Sequence, residues 1–514
     1  MQKTKIKIGL LLDSSIVDYW HYRVIEKLIN SNFATINLII YNKKSKIEKK
    51  SWKTIVYRLY TKLDKSLYKV TINAFSKKDI TPLLNNIEYN KNIDILVNFS
   101  SPDLDNDVIK LSKYGIWEYR EALGFWEVMY RLGTIESKLE ILSDNLHPIT
   151  IYTSSSKTDR FSVFRNKNTS YLKAISFLPR KVEELYNIGE KAFFEKINQE
   201  NSYPIFDDKS ISNRDFSNLK VFKLVIKHVI KVIKEKINNK FYFNQWILLF
   251  NFKEKNEIST SFHNFTKIIP PKDKFYADPF VVYEKGKYYI FLEELMYNTN
   301  RGHLSVIEID KDGNHSEPTK ILETPYHLSY PSIIKKNKDY FLIPESKADR
   351  TIQLYKCIEF PYKWEFQMNL MKDIDAVDAT LFFYENKWWM FCNIVENQGA
   401  ASFDELFLFY ADELETDKWI AHPLNPIVSD TTKSRPAGDI FIYNDKIIRP
   451  SQNCSFIYGY GIKMNEIQIL NEHEYKEVEI NSIKPNWEKD IIATHTYNHA
   501  NGLTVIDAGL KRRK

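Results

Sequence analysis

Asp278, Glu293, Glu345 and Asp378 stand at recurring positions in the second half of this 514-residue chain. Asp278, Tyr330 and Asp378 each open a short apolar run, and Arg435 stands just ahead of a fourth. Glu293, Glu345, Asn393 and Gln452 close the run that returns from each. In a hairpin the start of one strand and the end of the next share an edge, so two polar rings meet at one opening. Carboxylates gathered around an opening suit glycoside chemistry, where one protonates a leaving oxygen and another activates water or attacks. The expected catalytic residues are Asp278, Asp378 and Glu345. The expected substrate ligands are Glu293, Tyr330, Asn393, Arg435, Asp439, Arg449 and Gln452, the two arginines fitting a phosphate by bidentate hydrogen bonding. Carboxylates this close repel, so at least one should have a raised pKa. The competing reading makes the ring a set of strand-locking hydrogen bonds, with Asp278 and Asp378 as caps.

The elements that position these residues follow from a repeat. ADPFVVYEKGKYYIFLEE (277–294), SYPSIIKKNKDYFLIPES (329–346), VDATLFFYENKWWMFCNI (377–394) and AGDIFIYNDKIIRPSQNC (437–454) align as strand, polar turn and returning strand. Asp278, Tyr330, Asp378 and Ala437 share one column; Tyr289, Phe341, Trp389 and Ile448 share another. A period of roughly 50 residues suits four-stranded propeller blades. Trp364, Trp419 and Trp487 mark blade ends. A fifth blade combines the tail HTYNHANGLTVIDA (495–508) with QWILLFNF (245–252), which removes free sheet edges. Residues 241–514 are therefore expected to form an all-β, five-bladed propeller.

YADPF, GKYYIFLEE, YHLSYPS, IPES, VDATLF, WWMF, HPLNPIVSD, RPAGD and RPSQNCSFIYG occur across residues 245–508. This region resembles the propeller domain at the N-terminus of plant glucosamine inositolphosphorylceramide transferases, itself similar to arabinanase and β-xylosidase hydrolases. The resemblance implies that Asp278 matches the hydrolases' general base and Asp378 their pKa-tuning aspartate. At the position of their acid, a glutamate, this chain has Arg435-Pro436-Ala437, which leaves Glu345 or Glu293 as substitutes from other blades. Sugar or sugar-phosphate binding follows from the resemblance more directly than hydrolysis does.

In the first half, KIKIGLLL (5–12), Ile36–Tyr41 and IDILVN (93–98) read as buried strands. Helical patterns lie between and after them, over Ile16–Ile29 and around Asp103–Lys113. Strands alternating with helices predict a parallel, doubly wound, Rossmann-like α/β sheet over residues 1–200. IDILVNFSS, KYGIWEYREALGFWEV and SVFRN followed by YLKAISFLPRK give this part a resemblance to the formyltransferase fold. Active members use an Asn-x-His pair and a later Asp; here those positions read Trp117, Tyr119 and His147. The resemblance therefore implies a catalytically degenerate domain, for structure or substrate docking.

Between the two halves, residues 201–240 form a linker whose part 216–240 holds seven lysines and one glutamate. Lys220, Lys223, Lys227, Lys231 and Lys234 share one helical face, and Phe222, Val225, Ile226, Val229, Ile233 and Ile237 cover the other. Such a helix either buries its apolar side between domains or lies on an anionic membrane. The net charge of +7 is too mild and too spread to indicate nucleic acid. Three widely spaced cysteines give no disulfide framework and no zinc site. The N-terminal apolar run is too short for a signal peptide, and a cytoplasmic location is expected, with peripheral contact at the inner membrane face as an option.

No cofactor is expected. Three functions remain in view. The first is a carbohydrate-active or carbohydrate-binding protein of surface-glycan or glycolipid assembly, with glycosyl transfer or glycosidase-like chemistry at the mouth. The second is a sugar N-formyltransferase, and the third a non-catalytic scaffold for a glycan biosynthetic enzyme.

Overall fold

The computed structural model describes residues 3–42, 52–84, 90, 92–100, 108, 110–120, 124–142, 148–201, 216–253 and 262–514. Residues Met1–Ile233 with Glu396–Ala401 form one unit, and Lys234–Val395 with Ser402–Lys514 form the other.

The first unit is built on a six-stranded sheet. Ile6–Leu12 is central and buried on both faces, because its run of Ile and Leu leaves no polar side to solvate. It pairs in parallel with Ala34–Tyr41 and with Ile95–Asn98, which in turn pairs in parallel with Ile116–Arg120. The last two strands, Thr134–Leu142 and Ile149–Lys157, run antiparallel. The expectation of a parallel sheet thus needs correction: the sheet is mixed. Thr134–Leu142 has near-alternating burial, one side packed and one wetter, which is the signature of an antiparallel ribbon. Tyr19–Ile29 is helical and buries Trp20, Val24, Ile25 and Leu28 at helical spacing. Ile16–Asp18, expected as the start of that helix, is a short strand. The helix expected around Asp103–Lys113 falls largely outside the described residues.

The second unit contains five antiparallel sheets arranged as the blades of a propeller. Blade one comprises Lys274–Glu284, Lys287–Met296, Arg301–Ile309 and Thr319–Leu322. Blade two runs from Ser329 to Lys372, blade three from Ala376 to Ala421 and blade four from Phe441 to Ile483. Blade five joins the two ends of this unit: Leu503–Arg513 pairs along its whole length with Tyr242–Phe252, from Leu503 opposite Phe252 to Arg513 opposite Tyr242. Tyr497–Ala500 adds the innermost strand and Thr266–Ile268 the outermost.

Each blade's first hairpin closes with a two-residue loop. Lys285-Gly286, Glu385-Asn386, Asn444-Asp445 and Asn501-Gly502 have positive φ at both positions, as a type I′ turn requires; in blade two only Asn337 does. The aligned aromatic column is real in register, with Tyr289, Phe341, Trp389 and Ile448 opposite Val282, Ile334, Phe382 and Phe441.

Candidate functional site at the propeller mouth

A bulge places the first ring. In blades one to three the inner strand's pairing skips between Ala277 and Phe280, Ser329 and Ser332, and Val377 and Thr380. The residue inside each bulge is Asp278, Tyr330 or Asp378, with φ of 50°, 46° and 52°. Non-glycine residues rarely adopt this left-handed backbone, and it re-aims the side chain out of the normal pleat. These residues therefore sit within strands rather than capping their starts. In blade four the positive φ falls on Gly438, one residue beyond the aligned Ala437. A Cβ at Gly438 would lie 2.2 Å from the Tyr497 carbonyl oxygen, so no larger residue fits.

The second ring lies across the hairpins. Glu293, Glu345 and Asn393 stand opposite Ala277, Ser329 and Val377. The Gln452 amide donates to the Arg435 carbonyl at 2.7 Å.

Asp278 lies in a buried cluster with Thr496, His495 and Asp507. Its Oδ1 accepts from Thr496 Oγ1 at 3.0 Å, and its Oδ2 accepts from the Tyr330 amide at 3.3 Å. His495 Nε2 lies 3.5 Å from Asp278, while His495 Nδ1 contacts Asp507 Oδ2 at 2.5 Å. Asp507 also accepts the backbone N–H groups of Asp278, His495 and Thr496. Trp246 stacks on the imidazole at 4.0 Å between centroids. One buried histidine thus bridges two buried carboxylates. Burial acts to lower the His495 pKa, but Asp507 and Asp278 outweigh it and hold the ring above its ordinary value. Burial, opposed by His495 and reinforced by Asp378, pushes Asp278 up to about 6. The ligand atoms of Asp278, His495 and Asp507 all lie within 4.8 Å of one another. Asp507 already receives three backbone N–H groups and the ring, so a shared proton satisfies this cluster.

Asp378 differs. Arg435 grips it with Nε at 2.5 Å and Nη2 at 3.1 Å, and Gln452 Nε2 donates to it at 3.0 Å. Nη2 also reaches Glu345 at 3.4 Å, and the guanidinium lies 4.9 Å from the centre of the Tyr458 ring. Arg435 therefore neutralises the ring from within.

The pKa values of Glu293 and Glu345 are both shifted upward. Burial and then neighbouring carboxylates raise both well above the usual range, with Arg435 only partly relieving Glu345. His327 Nε2 stands 3.3 Å from Glu293, and its Nδ1 accepts the Gly302 amide, so the proton of a neutral ring faces the glutamate. Glu345 and His327 line a cavity of about 370 Å³ together with Lys347, Ala348, Arg350 and Asp375. Asp439 is partly buried, and burial raises it to about 7. Phe456, on the same loop as Tyr458 and Tyr460, is exposed.

Three expected ligands have other work. Arg449 is a correction: it is buried in a fork with Glu477, both bonds 2.8 Å, and donates to the Lys433 carbonyl, so no guanidinium is left for phosphate. The Tyr330 hydroxyl bonds Thr380 at 2.8 Å and accepts the Gly438 amide at 2.8 Å, tying blade two to blade four across the channel. Gln452 is spent on Asp378 and the Pro436 carbonyl. Asn393 is fully buried; its amide donates to Ser434 Oγ at 3.4 Å and its carbonyl oxygen has no partner. In the first unit, Trp117 is core, stacked on Phe193, and the Tyr119 hydroxyl accepts the Leu178 amide at 3.3 Å. His147 lies outside the described residues.

Sequence reasoning missed His495, Thr496, Asp507 and His327. A signal existed for Asp507, a lone carboxylate inside the apolar run LTVIDAGL. A charge on a buried strand demands a partner, and the nearby His495 supplies it.

Residues 261–502 match a family described as "Glucosamine inositolphosphorylceramide transferase 1, N-terminal". Curated relatives agree. Glucosamine inositolphosphorylceramide transferase 1 of Oryza sativa subsp. japonica is 31% identical over 210 residues, 40% of this chain and 28% of the relative. Its Arabidopsis thaliana counterpart is 29% identical over 209 residues, 40% of this chain and 27% of the relative. The match thus spans less than a third of the length of these curated relatives. Among solved structures, a family 117 glycoside hydrolase of Zobellia galactanivorans aligns at 11% identity and a TM-score of 0.34, covering 52% of this chain and 90% of that one. The catalytic domain of a Coprinopsis cinerea alpha-L-arabinofuranosidase aligns at 8% identity and a TM-score of 0.36, covering 52% and 96%. The propeller region is similar to the transferase N-terminal family.

Proposed function

We propose that the propeller mouth binds a sugar unit of a surface glycan or glycolipid and acts on its glycosidic or phosphoryl linkage. One observation carries this: Glu293 and Glu345, whose pKa values burial and neighbouring carboxylates raise well above the usual range, share an opening with Asp278, which burial pushes up to about 6. Groups with separated pKa values are what acid–base chemistry on an acetal requires. Glu345, facing the cavity, would donate to the leaving oxygen. Asp278, oriented by Thr496 and backed by the His495–Asp507 pair, would accept a proton. Phe456 offers an exposed face on which a sugar ring can stack. The names of the curated relatives support a carbohydrate substrate.

The test uses the intact chain against a panel of glycans, sugar nucleotides and inositol-phosphate glycolipids. Asp278→Asn is expected to abolish binding or turnover with the melting temperature held or raised, and Glu345→Gln to reduce turnover more than binding. If Asp278→Asn unfolds the protein while its folded fraction still binds, the ring is a structural clasp.

A second reading, a non-catalytic scaffold, is favoured by the Arg435–Asp378 fork, in which two charged groups satisfy each other. On that reading the mouth holds a sugar without turning it over. For the first unit we infer a formyltransferase-like but inactive domain, because Trp117 and Tyr119 are committed to packing and a backbone bond.

A further inference from the structure

The helix Ile55–Leu67 and the short turn before it carry Trp52, Leu59, Leu63 and Leu67, spaced seven, four and four apart on one stripe. All four are exposed, Trp52 at 82%. The long helix Asn218–Phe241 starts beside them. Asn218 Oδ1 accepts the Val56 amide at 3.1 Å, and its Nδ2 donates to the Trp52 carbonyl at 2.7 Å. Val56, Tyr57 and Tyr60 pack with Val221, Leu224 and Val225 on a cluster around Phe125 and Trp126. That contact uses one side of the long helix, whose buried residues are Val221 and His228. Leu219, Phe222, Ile226, Val229, Ile230 and Ile233 remain exposed. At helical spacing they fill an arc of about 100°, and Lys220, Lys223, Lys227, Lys231 and Lys234 fill the adjoining arc of about 80°.

On another side, the same helix Ile55–Leu67 gives Arg58, Lys62 and Lys65 to the lining of a cavity of about 450 Å³, together with Lys167, Phe75 and Phe164. Among the described residues, Lys62, Lys65 and Lys167 have no ion-pair partner. Asp64, on the same helix, is buried and spent on Ser162 Oγ and the Phe164 amide.

We propose that this face docks on an anionic lipid surface. The two apolar stripes enter the boundary between headgroups and acyl chains, the lysine row meets the surface charge, and the cavity seats a phosphate headgroup. Exposed apolar residues rimmed by charge of one sign fit this partner. A second copy fits poorly, because pairing two such faces brings two lysine-rich helices of like charge together. No helix among the described residues is long and apolar enough to cross a membrane.

The experiment is co-sedimentation of the intact protein with vesicles of neutral lipid, with and without about one third phosphatidylglycerol. Binding is expected only with the anionic lipid, with release as salt screens it. Lys223→Glu with Lys227→Glu and Lys231→Glu should weaken partition more than about tenfold, since each lysine adds to surface attraction. Lys62→Glu with Lys65→Glu should weaken it with the circular dichroism unchanged. Leu63→Ser with Ile226→Ser should weaken it even at low salt. The proposal is overturned if the lysine variants partition like the parent. It is also overturned if the parent ignores anionic vesicles, whether it dimerises through the apolar stripes or takes up free inorganic phosphate instead.

Discussion

Arg435 and Asp378 are each at most 9% exposed, so removing one leaves the other as an uncompensated buried charge. Arg435→Ala is expected to cost about 3–5 kcal/mol, and adding Asp378→Asn should recover much of it. Urea midpoints of the two variants check this. Asp278 gives the opposite sign. Its folded pKa of about 6 exceeds the ordinary carboxylate value, so ionising it costs folding free energy. Its favourable contribution is complete below about pH 4 and is lost as pH rises through about 6, a linkage of roughly 3 kcal/mol by pH 7. The melting temperature of Asp278→Asn relative to the parent should therefore be more favourable at pH 7 than at pH 4. The positions of Asp278, Glu293, Glu345 and Asp378 were legible because a repeat exposes polar residues at equivalent places. Their partners were not. Which charge Arg435 grips, and that Arg449 turns to Glu477, depends on side-chain directions across a channel that no spacing encodes.

The hairpins of the propeller were legible element by element, since alternating strands and a short polar turn leave one register that buries the apolar side. Blade five was legible too, as two orphan strand patterns at opposite ends of the unit. The bulges at Asp278, Tyr330 and Asp378 were not, because a single inserted residue barely disturbs an apolar pattern. In the first unit, Thr134–Leu142 and Ile149–Lys157 went unrecognised, and with them the antiparallel half of the sheet. Removing residues 503–514 deletes the strand that joins Tyr497–Ala500 to Tyr242–Phe252. Two open edges result, and such edges pair with other chains. The truncated protein is expected to lose its cooperative melt and elute as aggregate in size-exclusion chromatography.

For the whole molecule, the inactive reading of the first unit predicts no formyl transfer from a folate donor to an amino sugar. An assay on the full chain checks it, and turnover abolished by Tyr119→Phe would reverse the reading. The closed propeller also dictates an order of events during synthesis. Phe252 leaves the ribosome about 250 residues before its partner Leu503, so the blade-five edge waits through the translation of four blades. Those blades can form hairpins as they emerge, but the ring cannot lock until the last strand arrives. His495, Thr496 and Asp507 arrive with it, so the cluster around Asp278 is assembled by the same late event that shuts the ring. A nascent chain stalled before this point exposes a sticky strand and an incomplete mouth, which makes it a natural client for chaperones and proteases.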